Sequence, residues 1–321
     1  MPTDLPQLRF PRVLRYRFVA EAVTRIEMAP YAGSAWRGLL GGSLRRTSCI
    51  THQPTCEACL VRANCAFFHL FEIAPPPQGM PSHRAASHPF VLDLATDGAR
   101  EVHPGDHLEL GVTLIGDANA LLPNLVYALI GAGETGLGRG HGRFALRHVL
   151  QERSLSHGDW DPIFDALGGT LTPFDAGPVT LPAPWPGVCV ELLTPLRIKR
   201  FGRFVGPAEF QAADFLRHLC WRLDTLDHQF STEPPQGFWA RHGERITQAP
   251  PLASRLRWLD WTRYSSRQAT TMQLGGLVGT FVLPEALAAD LWPLLWLGQW
   301  VHVGKATSFG LGAYRLRGAP A

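Results

Sequence analysis

Lysine is almost absent from this chain of 321 residues. Only Lys199 and Lys305 occur among its 30 basic residues, so arginine carries nearly all of the positive charge. Arginine makes planar, bidentate contacts with phosphate and stacks on bases, but a biased genome composition would produce the same preference. The net charge of +3 is mildly basic, which fits a nucleic-acid partner without requiring one.

Long hydrophobic runs are also missing. No segment approaches the roughly 20 apolar residues of a membrane helix, and the first residues lack the apolar segment of a signal peptide. We therefore expect no membrane association and a cytoplasmic location. In that reducing environment the six cysteines are not expected to form disulfides.

Two glycine motifs imitate nucleotide-binding loops but lack the required context. "GAGETG" (131–136) has the spacing of a dinucleotide-binding loop, yet it follows a predicted helix, whereas the mechanism needs a preceding strand. "GQWVHVGKA" (298–306) has one residue too many for a phosphate-binding loop, and Ala306 stands where a hydroxyl should bind magnesium. These differences exclude a nicotinamide enzyme and a nucleotide triphosphatase.

The order of hydrophobic patterns occurs twice along the chain. Alternating segments predict strands and 3.6-residue periodicity predicts helices, in the order β-α-β-β-α-β. The strands are expected at 12–22, 88–94, 106–116, 142–150, 188–200, 256–267, 275–283 and 312–316, and the helices at 33–46, 118–133, 207–230 and 284–300. This pattern predicts an α+β protein with two ferredoxin-like (RRM-like) domains in tandem.

The domain boundaries follow from composition. We predict an N-terminal domain at 1–155 with a cysteine insertion at 47–72, a linker at 156–187 rich in Gly, Pro, Ser and Asp, and a C-terminal domain at 188–321. The two domains end alike, because "GLGRGHGRFAL" and "GKATSFGLGAYRL" align Gly140 with Gly310 and Gly142 with Gly312 at one offset of 170 residues. An internal duplication explains this match.

Several segments together resemble a known family. They are "WVHVGKATSFGLGAYRL" (300–316), "WTRYSSRQATTMQLGGLVGTF" (261–281), "TPLRIKR" (194–200), "WRGLLGGSLRR" (36–46) and "CAFFHLFE" (65–72). In their order along the chain they are similar to the CRISPR-associated precursor-crRNA processing endoribonucleases of the RAMP superfamily, in the branch with a four-cysteine insertion. The resemblance implies a role in antiviral defence and a C-terminal Gly-rich loop that engages RNA.

The activity implied by the resemblance is metal-independent cleavage of CRISPR repeat RNA. The ribose 2′-OH attacks the adjacent phosphate and leaves a 2′,3′-cyclic phosphate, which requires a base, an acid and cations over the phosphate. The candidate catalytic residues are His52 after the first helix, Tyr31 before it, and His302 with Lys305 in the C-terminal loop. Either histidine, or a site elsewhere that includes arginine, could transfer the proton.

Candidate RNA contacts lie in the first helix, the two Gly-rich loops and the "RYSSRQ" segment. They are Arg37, Arg45, Arg46, Arg139, His141, Arg263, Tyr264, Arg267, Gly304, Lys305, Gly310 and Gly312. The alternative function is a non-cleaving RNA-binding subunit of a CRISPR effector complex with the same fold. Other Cas effector subunits are therefore possible partners beside the repeat RNA.

Four cysteines cluster within the insertion. Cys49, Cys56, Cys59 and Cys65 give the spacing C-x6-C-x2-C-x5-C, which suits a closed tetrahedral zinc site without a catalytic role. We therefore predict a structural, zinc-ribbon-like insertion. An iron–sulfur cluster and a loop that has lost its metal are the alternatives.

Overall fold

The computed structural model divides the chain into two compact units. The N-terminal unit comprises Phe10–Val179 with Gln229–Thr232, and the C-terminal unit comprises Met1–Arg9, Thr180–His228 and Glu233–Ala321. The structure describes residues 9–72, 86–94, 100–156, 158–176, 181–250, 252–265 and 270–319, with the backbone alone described in 262–265 and 270–273.

The N-terminal unit contains one main antiparallel sheet and a separate two-stranded sheet. Its strands are β1 (Val13–Ala22), β2 (Ile26–Met28), β3 (Phe90–Asp93), β4 (Arg100–Val102), β5 (His107–Ile115), β6 (Phe144–Glu152) and β7 (Trp160–Asp165). Its helices are α1 (Gly33–Ser48), α2 (Ala66–Phe71) and α3 (Leu122–Thr135). The main sheet has the order β3-β5-β1-β6-β7, and β2 pairs separately with β4.

The C-terminal unit repeats this arrangement. Its strands are β8 (Val188–Leu196), β9 (Lys199–Arg200), β10 (Arg203–Phe204), β11 (Ser254–Leu259), β12 (Thr262–Ser265), β13 (Thr270–Gln273), β14 (Gly276–Leu283) and β15 (Tyr314–Gly318). Its helices are α4 (Ala212–Phe230), α5 (Phe238–Thr247), α6 (Glu285–Asp290) and α7 (Trp292–Val301). The sheet order β11-β14-β8-β15 matches β3-β5-β1-β6 strand for strand. The predicted pair of ferredoxin-like folds is confirmed.

Periodic burial explains why these segments form these elements. In β1, Tyr16, Phe18 and Ala20 are buried on one face of the sheet, as the two-residue period of a strand requires. In α1, Trp36 and Leu40 are buried at a spacing of four residues and therefore lie on one side of the helix. The hydrophobic core of the N-terminal unit thus lies between the sheet and its helices.

Three predicted elements differ in detail. Trp160–Asp165, which we assigned to the linker, forms edge strand β7 paired with β6, where Pro162 is tolerated because an edge strand has a free side. The strand predicted at 256–267 is interrupted between β11 and β12. The helix predicted at 284–300 divides into α6 and α7, because Pro293 near the start of α7 has no N–H to continue a helix.

Candidate functional site

The Gly-rich loop of the C-terminal unit, residues 302–313, joins α7 to β15. Positive φ angles occur at His302, Gly304, Ala306, Gly310 and Gly312. A Cβ on Gly304 would lie 2.5 Å from the Arg197 carbonyl oxygen, and one on Gly312 would lie 1.8 Å from the Val303 carbonyl oxygen. The glycines are therefore required by the loop's own packing against the end of β8.

Many backbone N–H groups of this loop are already paired within the protein. The N–H groups of Val303, Lys305, Phe309, Gly310 and Gly312 donate to the carbonyl oxygens of Gly312, Arg197, Ala306, Thr307 and Pro195, respectively. These five groups do not point outward as a phosphate cradle. Gly304, Gly310 and Gly312 shape the loop, and their contact with RNA stays a prediction. The exposed charge of the loop is the Lys305 side chain.

His302 lies beneath the loop surface. It is 3% exposed, and its Nδ1 donates to the Leu311 carbonyl oxygen at 3.2 Å. This arrangement ties the beginning of the loop to its end. A buried ring with that contact favours a role in positioning the loop over direct proton transfer to a substrate.

Further basic groups surround the loop at the end of β8. The backbone N–H of Lys199 donates to Nε2 of His218 at 3.4 Å, and Nδ1 of His218 donates to the Asp214 carbonyl oxygen at 2.8 Å. Burial lowers the pKa of His218, and the nearby Lys305 charge acts in the same direction. The Arg197 guanidinium lies 4.6 Å from the Phe204 ring centroid. Sequence reasoning missed His218, because only the fold brings α4 beside the end of β8. It also missed Arg197, because only the fold brings the Lys305 N–H to the Arg197 carbonyl oxygen.

The N-terminal unit has an equivalent Gly-rich loop. A Cβ on Gly138 would lie 2.2 Å from the Glu27 carbonyl oxygen, and the Arg139 N–H donates to the same oxygen at 3.2 Å. Gly304 and Lys305 make the same pair of contacts with Arg197, which supports the predicted duplication. Arg139 and His141 are exposed at this loop.

Tyr31 and His52 lie at opposite ends of α1. Tyr31 precedes the helix, whereas the exposed His52 follows it with a φ of +51°. The 16 residues of α1 span about 24 Å at 1.5 Å per residue. The structure therefore does not bring these two predicted catalytic residues to one phosphate.

The three arginines of α1 have separate surroundings. Arg37 Nη2 donates to Nε2 of His88 at 3.1 Å, and His88 is half-buried. Arg45 Nη2 donates to the carbonyl oxygens of Gln53 and Pro54 and so holds the segment after His52. Arg46 Nη2 donates to Thr135 Oγ1 at 2.8 Å and is exposed.

The remaining predicted contacts fall on the β12–β13 hairpin. Arg263 and Tyr264 lie on β12, where Arg263 pairs with Met272 and Tyr264 with Thr271 along the backbone. Their side chains and Arg267 lie outside the described residues.

Two family models cover most of the chain. Residues 8–175 match the model AF_1859_N, described as an N-terminal domain, and residues 190–314 match the model described as CRISPR-associated endoribonuclease Cas6. The C-terminal half of the chain therefore carries a Cas6 endoribonuclease domain, and the predicted resemblance of the chain to the CRISPR-associated endoribonucleases is confirmed.

Solved structures share the fold at low sequence identity. A partial Cas6-RT-Cas1–Cas2 complex matches with a TM-score of 0.56 and 15% identity over 98% of this chain, and this chain spans 47% of that one. Two Cas6 product complexes match with TM-scores of 0.55 and 0.50, each at 19% identity over 95% of this chain and 99% of the other. No curated protein matches the sequence.

The four cysteines of the predicted zinc site line one cavity after α1. Ser48, Thr51 and Phe67 also line this cavity. Thr51 Oγ1 lies 3.4 Å from Cys59 Sγ, and Cys56 and Cys65 pack against the core of the N-terminal unit. Within the described ranges, no three Cys, His, Asp or Glu side chains are arranged so as to hold a metal ion. The zinc site stays a prediction.

No helix in the part of the chain that the structure describes is long and apolar enough to cross a membrane.

Proposed function

We propose that this chain cleaves CRISPR repeat RNA without a catalytic metal, by attack of a ribose 2′-OH that leaves a 2′,3′-cyclic phosphate. The match of residues 190–314 to the Cas6 endoribonuclease model supports the substrate class, as do two related folds that are product complexes. Assembly with other CRISPR-associated proteins is part of the proposal, because a Cas6-RT-Cas1–Cas2 complex shares the fold.

The observation that carries the proposal is the exposed Lys305 on a rigid loop. Hydrogen bonds between the loop backbone and β8 fix the position of Lys305, and its side chain is exposed. A cation held in place stabilises the charge that develops on the phosphate and needs no reorganisation during the reaction. Lys305 would contact a phosphate of the bound RNA.

Proton transfer is assigned to His52. Its side chain is exposed, and Arg45 holds the two carbonyl groups that follow it. An imidazole ring can act as base toward the 2′-OH or as acid toward the 5′-oxygen. His302 would act indirectly, by keeping the loop that carries Lys305 in its observed shape.

The test uses the cognate repeat RNA in EDTA. We expect one cut and a cyclic-phosphate end. His52→Ala should lower the cleavage rate at saturating RNA by about 10²- to 10⁴-fold with little loss of binding, whereas His103→Ala, an exposed histidine of the same unit, should leave it unchanged. Lys305→Gln should weaken binding about tenfold, or about 1.4 kcal/mol, and Lys305→Arg should restore most of it.

Two outcomes would contradict this assignment. Full cleavage by the His52→Ala, His302→Ala double variant would place the proton transfer elsewhere. RNA binding without any cut by the wild-type protein would indicate the non-cleaving subunit.

We also propose that Cys49, Cys56, Cys59 and Cys65 hold one structural zinc ion. Four thiolates suit tetrahedral zinc, and the observation in support is that all four line one cavity. Zinc there would stabilise the segment between α1 and α2, which includes His52. A site closed by four protein ligands leaves no position for a substrate.

A further inference from the structure

The short hairpin β9–β10 has an unusual residue at its tip. Arg200 pairs with Arg203 across a two-residue turn formed by Phe201 and Gly202, whose φ angles are +50° and +82°. A two-residue turn with positive φ at both positions favours Asn-Gly or Gly-Gly. Phenylalanine is unfavourable there, because its Cβ crowds the backbone in the left-handed conformation.

Packing within the protein does not compensate for this conformation. The Phe201 side chain is 97% exposed. Phe204, on the next strand of the hairpin, is 38% exposed, but Arg197 lies 4.6 Å and the Lys199 Nζ 4.9 Å from its ring centroid. Phe201 is therefore the apolar group of this hairpin that no neighbouring side chain covers.

The hairpin is anchored and its outer surface is positively charged. Arg200 Nη1 contacts Asp214 Oδ2 at 3.2 Å, and Asp214 is 1% exposed on α4, so this acidic group faces inward. Lys199 is half-buried and Arg203 is exposed. Arg203 makes no ion pair with any other described residue. A rigid base thus presents an aromatic ring between cationic side chains.

The hairpin begins where the Gly-rich loop meets β8. Lys305 N–H donates to Arg197 O at 2.9 Å, and Val205 N–H donates to Ile198 O at 3.1 Å, which closes the hairpin base. Phe201 lies three residues beyond Ile198, roughly 10 Å along an extended strand at 3.3 Å per residue. An RNA strand that contacts Lys305 can therefore continue to the tip.

We propose that Phe201 stacks on an unpaired base of the bound RNA, while Lys199 and Arg203 contact the flanking phosphates. Aromatic side chains between cations bind single-stranded nucleic acid in this way, because every base presents a π face. The inference rests on the proposed function only in that the ligand is RNA, and it requires no cleavage. Phe201 is a binding residue here and has no part in proton transfer.

Binding of fluorescein-labelled repeat RNA, followed by fluorescence anisotropy, tests this role. Phe201→Asn should weaken binding roughly 5- to 100-fold. The same substitution should preserve or raise the melting temperature, because Asn-Gly suits the turn. Phe201→Trp should keep the wild-type affinity. Leu167→Ala, which removes a 96% exposed apolar side chain from the N-terminal unit, is the matched control and should have no effect.

Salt dependence distinguishes stacking from phosphate contacts. Phe201→Asn should leave the slope of log affinity against log salt unchanged, whereas Arg203→Gln should reduce its magnitude by about 0.7, the value for one phosphate contact on a single strand.

Two results would overturn the inference. One is wild-type RNA affinity in Phe201→Asn, which would also be found if the hairpin contacts a protein instead of RNA. The other is an equal loss of RNA affinity in Phe201→Asn and Leu167→Ala. The two proposals can fail separately. If the wild-type protein does not cut RNA but Phe201→Asn still binds RNA more weakly than the wild type, the inference is supported and the proposed cleavage is contradicted.

Discussion

At the scale of single residues, two glycines of the N-terminal Gly-rich loop allow two effects on stability to be compared: the cost of a left-handed backbone and the cost of a steric clash. Gly138 has φ +73° and a Cβ there would lie 2.2 Å from the Glu27 carbonyl oxygen, whereas Gly140 has φ +86° and no atom within 4 Å of such a Cβ. Gly140→Ala should lower the free energy of unfolding by about 1–2 kcal/mol, and Gly138→Ala by clearly more, because the backbone must move. Urea unfolding measures both, and equal losses would contradict the argument.

The roles of individual residues were only partly predictable. The 170-residue offset between the Gly-rich loops predicted equivalent structures, and the matching contacts of Gly138 and Gly304 support it. The burial of His302 was not predictable, because it follows from the fold of the loop, which brings the Leu311 carbonyl oxygen to the ring. The partners of His88 and His218 likewise come from distant parts of the chain.

At the scale of elements, hydrophobic periodicity predicted the long strands and helices, because each buries one face against a core. It failed for segments without that pattern. β9 and β10 have two residues each and are mostly basic, and β7 lies in a stretch whose Gly and Pro content indicated a linker. The Cys segment has little apolar periodicity, and its shape depends on whether the thiols bind a metal.

The cysteine segment gives the prediction for this scale. Protein purified without oxidation should contain one zinc ion per chain by metal analysis, and Cys59→Ser should lose it together with several degrees of melting temperature, because metal binding contributes directly to folding. Cys189→Ser, at a half-buried cysteine of β8, is the matched control and should retain the zinc. Iron with a brown colour, or a wild-type protein free of metal, would contradict the zinc proposal.

At the scale of the whole molecule, the repeated sheet order was the most predictable property. Each half contains its own complete set of β-α-β-β-α-β patterns, so its topology needs no information from the other half. The charge distribution was harder to predict from the sequence. A net charge of +3 conceals the local excess of cations around Lys305 and the β9–β10 hairpin, because paired charges such as Arg317 with Glu191 cancel elsewhere.

The pH dependence of stability should originate in the C-terminal unit. Burial lowers the pKa of His218 and of His242, against the opposing effects of Asp214 and Asp290. The unfolded chain, with histidine pKa values near 6.5, then binds more protons than the folded one, so stability rises with pH. The contribution of these histidines to stability should be fully present above about pH 6.5 and should decrease as the pH falls toward their pKa values in the folded protein. Protonated His218 would also place a second donor opposite the Lys199 N–H.

Urea unfolding between pH 7.5 and 5 measures this effect. The free energy of unfolding of the wild-type protein should decrease on acidification. His218→Gln should flatten part of that dependence whatever its effect at pH 7.5, because glutamine does not titrate. His103→Gln, at an exposed position of the N-terminal unit, should keep the wild-type slope. If the free energy of unfolding of His218→Gln depends on pH as steeply as that of the wild type, His218 does not gain a proton on unfolding. The assignment of the pH dependence to its burial would then be wrong.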